Sequence, residues 1–128
     1  MFNYNKKIQS CQIHSYFTRK RGVWEMAKLN PEQIAVYMRY LSQWEDKGQS
    51  LEKTFRFQKD EDVIRFVSLF CEKSREIHHI PELLMKKGEV QLKLYTLDER
   101  GIGITGKDFA LAMAADQIFR QFASSQVL

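Results

Sequence analysis

The sequence offers little that could cross a membrane or cross-link the chain. Its 128 residues contain no apolar run near the roughly 18–20 residues that a membrane-spanning helix needs. It has only two cysteines and no Cys-x-x-Cys spacing, so neither a disulfide framework nor a zinc ribbon is indicated. With 44% hydrophobic and 28% charged residues, the composition is that of one ordinary globular domain.

Acidic residues are missing from the first 24 positions, and this absence explains the basic charge of the whole chain. That segment contains five basic residues, while the remainder holds 15 basic and 16 acidic residues. Because the net charge of +4 belongs to the N-terminus, the domain lacks the basic surface by which proteins bind nucleic acid. Aromatic residues among these basic ones leave single-strand binding by the segment as a weaker alternative.

We divide the chain into a basic N-terminal extension, residues 1–25, and a domain, residues 26–128. The extension has no regular period, and its basic, acid-poor composition is typical of a mitochondrial transit peptide. Two other interpretations stay open: the native chain starts at Met26, or the extension packs on the domain. No continuous apolar stretch follows the charges, so a secretory signal is not indicated. We expect a cytoplasmic protein, or a mitochondrial one if the extension is a transit peptide.

Periodicity in the domain predicts three helices and two strand pairs. Asn30 and Pro31 suit the N-cap and the first position of a helix, and Thr105 with Asp108 forms a variant of the capping box. In chain order we predict a helix from Asn30, strands over 44–48 and 51–57, a helix from 60 to about 80, strands over 83–85 and 90–95, a loop over 98–104, and a helix from Thr105.

This order, α-β-β-α-β-β-α, predicts an α+β fold. The economical packing is a four-stranded antiparallel sheet with three helices on one face. One face of the second strand would carry Leu51 and Phe55 toward the helices. The other face, with Glu52, Thr54 and Arg56, would meet solvent or a partner subunit.

Two of the three histidines are adjacent, at His78 and His79, and Pro81 follows them closely. This stretch lies between the second helix and the strand after it, where imidazoles would reach the rim of the sheet. Imidazole titrates near neutral pH, so these side chains are the candidates for proton transfer. The alternative is that both histidines are loop residues that face solvent.

Five segments follow one another at a specific spacing over residues 29–122. They are Leu41-Ser42-Gln43-Trp44, residues 51–57, residues 66–81, residues 90–96, and Gly103-Ile104-Thr105-Gly106-Lys107-Asp108-Phe109-Ala110-Leu111-Ala112. Together they resemble the pterin-4a-carbinolamine dehydratase family, whose last motif is Gly-Leu-Thr-x-x-Asp-x-x-Leu-Ala.

The resemblance implies an active site built from a His-His-Pro motif and a third histidine just after a strand-ending threonine. Thr96 matches that threonine, but Leu97 stands where the third histidine belongs. Aligned without a gap, His79 takes the place of the first histidine and Ile80 replaces the second. If one residue is inserted before the proline, His78 and His79 are both retained. The sequence leaves both alignments open.

The resemblance further implies a dehydratase that recycles 4a-hydroxytetrahydrobiopterin, with a pterin as substrate and with neither a bound cofactor nor a metal. His79 would be the principal acid–base group and His78 a helper. The substrate-binding candidates are Pro81, Thr96, Asp98 and Glu99. The two acids would otherwise belong to a solvated loop. The family also implies a homodimer or homotetramer, which fits a sheet whose edge needs cover.

The departures from the family pattern support a second hypothesis. Ile80 and Leu97 cannot transfer protons, so an enzyme with this sequence is expected to work at a reduced rate. Some relatives of the fold act as dimerisation partners of a transcription factor or as RuBisCO assembly factors. The alternative is therefore a non-catalytic, homo-oligomeric binding or assembly protein of the same fold.

Overall fold

The computed structural model describes residues 17–20 and 23–126, with side chains from residue 27 to residue 122. Within these ranges the helices are α1 (Pro31–Met38), α2 (Asp60–Ile77) and α3 (Gly106–Gln126). The strands are β1 (Phe17–Lys20), β2 (Val23–Met26), β3 (Glu45–Asp46), β4 (Leu51–Arg56), β5 (Glu82–Lys86), β6 (Glu89–Leu94), β7 (Thr96–Asp98) and β8 (Gly101–Gly103). The predicted α+β class and the order of the main elements are confirmed.

The central sheet has the strand order β3-β4-β6-β5, and every neighbouring pair is antiparallel. Leu51 of β4 lies opposite Leu94 of β6, and Phe55 lies opposite Val90. All four side chains are buried, because α2 and α3 pack on this face of the sheet. The helix α1 joins the same layer through Tyr37. The predicted inward face of β4 is therefore confirmed.

An aromatic cluster ties the sheet to the two long helices. The ring of Phe55 lies 4.9 Å from that of Phe66 in α2 and 5.1 Å from that of Phe119 in α3. Phe57 lies 5.3 Å from each of the same two rings. Pairs of this kind stabilise a core beyond the area that they bury. The cluster therefore fixes the position of α2 relative to β4.

A charged pair lies inside this core. Lys53, on the inner face of β4, contacts Asp116 of α3 at 2.8 Å, and their side chains are only 10% and 9% exposed. Lys53 Nζ also donates to the carbonyl of Ser42 at 2.7 Å and lies 4.6 Å from the ring centroid of Phe55. Trp44 Nε1 donates to the same Asp116 oxygen at 3.0 Å. The pair therefore joins α3, β4 and the segment before β3.

The segment predicted as a loop over 98–104 instead forms the hairpin β7–β8. Its strands are only three residues long, too short for their alternation to stand out in the sequence. Gly101 has φ +115°, a conformation that glycine adopts without strain. Lys28 crosses the hairpin, and its Nζ donates to Asp98 Oδ1 and to the carbonyl of Gly101, both at 3.0 Å.

The N-terminal hairpin β1–β2 lies in a region for which no regular element was predicted. The expected boundary between residues 25 and 26 falls inside β2. The transit-peptide interpretation concerns residues 1–25, of which residues 1–16, 21 and 22 lie outside the described residues. In the described part of the chain, no helix combines the length and the apolar character that crossing a bilayer requires.

Candidate functional site

Helix α2 ends at Ile77, about three residues earlier than predicted. His78 follows in the left-handed conformation, with φ 59° and ψ 46°, and closes the helix. Its amide donates to the carbonyl of Arg75 at 3.2 Å, and the amide of His79 donates to that of Ser74 at 3.1 Å. The helix therefore ends at the left-handed residue His78, three residues before Pro81.

Ser74 holds the backbone of His79 at two points. The Ser74 carbonyl accepts the His79 amide, and the Ser74 hydroxyl donates to the His79 carbonyl. Ser74 is itself buried on the inner stripe of α2. Because both backbone groups of His79 are fixed to a buried residue, the imidazole leaves the chain in a defined direction.

The His79 imidazole contacts a buried carboxylate. Its Nε2 lies 2.7 Å from Asp108 Oδ1 and 3.4 Å from Thr96 Oγ1. Asp108 is fully buried, whereas the His79 side chain keeps 11% of its surface exposed. The proximity of His79 to Thr96 that the sequence predicted is therefore present. The carboxylate behind the histidine was not predicted as a site residue.

The second oxygen of Asp108 is held by hydrogen bonds. Asp108 Oδ2 accepts from Thr96 Oγ1 and from the backbone amide of Thr105, both at 2.9 Å. The two threonine hydroxyls lie 2.9 Å apart. Asp108 thus serves as the cap of α3 through one oxygen and as the partner of His79 through the other. The bond from the Thr105 amide to the Asp108 carboxylate is one half of the predicted capping-box variant, which was the available signal for this residue.

These contacts define which nitrogen of His79 can exchange a proton with a ligand. Neutral imidazole has one N–H, and a carboxylate accepts but cannot donate. Hydrogen-bond geometry therefore assigns the proton to Nε2, which donates to Asp108 Oδ1. Nδ1 is left as the basic atom. A carboxylate in this position orients the ring.

A pocket of about 480 Å³ opens in front of this cluster. It is within the usual size range of small-molecule sites. Its lining residues are Cys71, Ser74, Arg75, His78, His79 and Ile80. A larger concavity of about 740 Å³ lies on the outer face of the sheet, but no histidine lines it. Because proton-transfer chemistry requires titratable groups, we assign the candidate site to the smaller pocket.

The other predicted site residues are distributed unevenly around this pocket. His78 lines it and is exposed, with Lys107 Nζ 3.4 Å from its carbonyl. Asp98 and Glu99 are not among its lining residues. The Lys28 ammonium, together with the amide of Arg100, holds the pKa of Asp98 below its ordinary value. Asp98 is therefore ionised at neutral pH.

Three apolar or neutral residues of the rim are more exposed than their type suggests. Ile80 is 89% exposed and Leu97 is 68% exposed. In the ungapped alignment the family pattern has histidines at these two positions. This chain has aliphatic side chains there instead, and they are exposed to solvent. The helical period of the sequence predicts a buried thiol at Cys71, on the apolar stripe of α2, but Cys71 is exposed. The helical period did not distinguish the edge of that stripe from its centre.

Comparison with protein families gives one match. The model described as pterin 4 alpha carbinolamine dehydratase matches residues 27–118, which include α1, the central sheet and most of α3. The match therefore covers every residue of the cluster around His79.

Individual proteins show the same similarity. A Thermomicrobium roseum protein named "putative pterin-4-alpha-carbinolamine dehydratase" is 34% identical over 87 residues, which are 68% of this chain and 91% of the relative. A Sulfolobus acidocaldarius protein of the same name is 31% identical, over 71% of this chain and 98% of the relative. The crystal structure of a transcriptional coactivator/pterin dehydratase from Brucella melitensis superposes with a TM-score of 0.66 at 21% identity, covering 72% of this chain and 98% of that one. This last similarity shows the fold.

Proposed function

Because the chain belongs to the pterin-4-alpha-carbinolamine dehydratase family, we propose that it removes water from a 4a-hydroxytetrahydropterin and so recycles the pterin cofactor. One observation carries the proposal beyond family membership. His79 is fixed by Ser74, hydrogen-bonded to the buried Asp108, and open to a pocket of ligand size. A positioned acid–base group is what this dehydration needs.

The reaction requires two proton transfers. A carbinolamine carries a hydroxyl and an amine on one carbon, and its dehydration breaks the C–O bond as a C=N bond forms. The departing hydroxyl takes up a proton and leaves as water, and the ring nitrogen loses its proton. We assign both transfers to Nδ1 of His79, which accepts a proton in the neutral state and donates it in the charged state. Asp108 accepts from Nε2 throughout, so the exchanged proton is the one on Nδ1.

A site with one strongly positioned histidine should be slower than one with three. His78 is exposed, and among the described residues the imidazole that bonds to Asp108 is that of His79, so His78 would act only as a helper. Thr96 and Pro81 remain in the proposed site as residues that shape it around His79. For Asp98 and Glu99, direct contact with the substrate stays a prediction.

The test is an assay of pterin carbinolamine dehydration by the purified full-length protein. We expect a rate above the buffer-catalysed reaction but below that of a relative with the complete His-His-Pro site. The measurement should be made near neutral pH, where imidazole can both accept and donate a proton. A rate equal to that of buffer at micromolar protein would contradict the proposal and leave the binding or assembly function.

We also propose that the protein is a homo-oligomer. Among the described strands, β5 pairs only with β6, so its outer edge has unpaired backbone groups. Leu84 and Met85 of β5 are each about half exposed. Exposed strand edges with apolar side chains are places where a second copy can add its own strand.

Sedimentation velocity at micromolar concentration should show a dimer or tetramer. Replacing Leu84 by lysine places a charge at this edge and should shift the population toward the monomer. The matched control is Ile64→Lys, which changes an exposed aliphatic residue on α2 instead. A monomer in the unmodified protein would contradict the oligomer.

A further inference from the structure

The pocket beside His79 has a positive rim. Of its described lining residues, Arg75 alone carries a permanent charge, and the lining contains no carboxylate. Within residues 27–122, no carboxylate forms an ion pair with Arg75. Arg75 thus lines the pocket without an opposite charge paired to it in the described part of the chain.

Other charged groups near the pocket change its electrostatic potential but do not make it negative. Glu76, the next residue on α2, is engaged by Lys73 at 3.3 Å. The C-terminus of α2 is a negative helix end, but Lys107 Nζ lies 3.4 Å from the carbonyl of His78 there. Asp108 is fully buried behind His79, with both oxygens hydrogen-bonded. Arg75 is therefore the cation that lines the pocket, and Lys107 lies beside the pocket at the carbonyl of His78.

Resting on the proposed dehydratase function, we propose that the substrate is a pterin whose side chain ends in an anionic group, either a phosphate ester or a carboxylate. The pterin ring would lie against His79, and the anionic group would lie at Arg75, four residues earlier on α2. Guanidinium binds phosphate and carboxylate through two parallel hydrogen bonds, so it selects the shape of the anion as well as its charge. Lys107 would act as a second, less directional cation.

The test compares three stable, fluorescent probes that share one ring: 6-hydroxymethylpterin, its phosphate monoester and 6-carboxypterin. Quenching titrations use the full-length protein. We expect at least one anionic probe to bind about fivefold more tightly than the neutral one, the upper range for a solvent-exposed ion pair. The preference should shrink as the ionic strength rises. Tighter binding of the ester alone would indicate that the site recognises a phosphorylated side chain. Equally tight binding of both anions would indicate that it recognises the negative charge and not the kind of anion.

Arg75→Gln should lower the affinity for the anionic probe to that for the neutral probe. The matched control is Arg56→Gln, the same change on the outer face of the sheet, which should keep the preference. Equal affinity for all three probes in the unmodified protein would overturn the inference, as would a preference that survives Arg75→Gln. If a neutral pterin carbinolamine is dehydrated and no anion preference is seen, only this inference fails. If no probe binds and no pterin is dehydrated, the proposed function fails with it.

Discussion

Replacing His79 by alanine should lower the dehydration rate by about 10²–10⁴-fold, the usual contribution of a positioned acid–base group. His79 is the histidine whose imidazole contacts the buried Asp108, so its loss removes the basic atom and leaves the carboxylate facing the pocket. Asp108 loses one partner but keeps the hydrogen bonds of its second oxygen, so the variant should still fold, with a lower stability than the unmodified protein. The measurement is kcat and KM with the pterin carbinolamine, together with urea unfolding of the same preparation.

The matched control for this experiment is the neighbouring histidine. His78 has a left-handed backbone, which asparagine tolerates, so His78→Asn removes the imidazole without straining the end of α2. We expect a loss of less than about tenfold, because an exposed helper supplies less than a fixed acid–base group. Equal losses in the two variants would instead support the alignment that retains both histidines of the motif. No loss in either would exclude histidine catalysis at this site.

Restoring the family pattern provides the opposite test. Ile80 and Leu97 are both exposed, so Ile80→His and Leu97→His add imidazoles without opening a cavity in the core. In the ungapped alignment the double variant should gain rate relative to the unmodified protein, since the scaffold already holds Thr96 and His79 beside these positions. A double variant that folds normally and gains nothing would indicate that the pocket no longer binds the substrate productively.

Local chemistry explains why most of the fold could be predicted. Asn30 caps α1 and accepts from the Gln33 amide at 2.8 Å, as its residue type indicated. Alternation placed Leu51 and Phe55 on the buried face of the sheet, because successive side chains of a strand point to opposite faces. The hairpin β7–β8 was not predicted because three residues cannot show a period, and its contact with Lys28 joins residues 70 positions apart in the chain.

The candidate site was predicted only in part, for a related physical reason. His79 was found because it follows a helix and imidazole is rare in this chain. Thr96 was found because it matches the strand-ending threonine of the family pattern, although it begins β7 instead of ending β6. Asp108 was recognised as a helix cap, and that interpretation explains one of its two oxygens. The other oxygen meets a histidine 29 residues away, a contact that packing of α3 against α2 creates. A buried acid at a helix start, in a family motif, is the signal that would have identified it.

Asp116→Ala should destabilise the fold by about 3–5 kcal/mol, the usual effect of removing one partner from a buried ion pair. Asp116 accepts from Lys53 and from Trp44 Nε1, and both donors lie in a region from which water is largely excluded. Without the carboxylate, the ammonium group of Lys53 is left in the core with only the carbonyl of Ser42 and the ring of Phe55 beside it. Urea unfolding, analysed with an unchanged dependence on denaturant, measures the loss.

Two further variants separate charge burial from lost packing. Lys53→Met with Asp116→Asn leaves no buried charge and keeps an amide oxygen for Trp44 Nε1, so it should be clearly more stable than Asp116→Ala. Glu45→Ala removes a partner of Lys47 from an exposed pair at 3.5 Å and should cost at most about 1 kcal/mol. If Asp116→Ala costs no more than Glu45→Ala, the pair does not hold α3 to β4. The double variant would then have no advantage, and the rigidity of the scaffold behind His79 would have to come from the aromatic cluster alone.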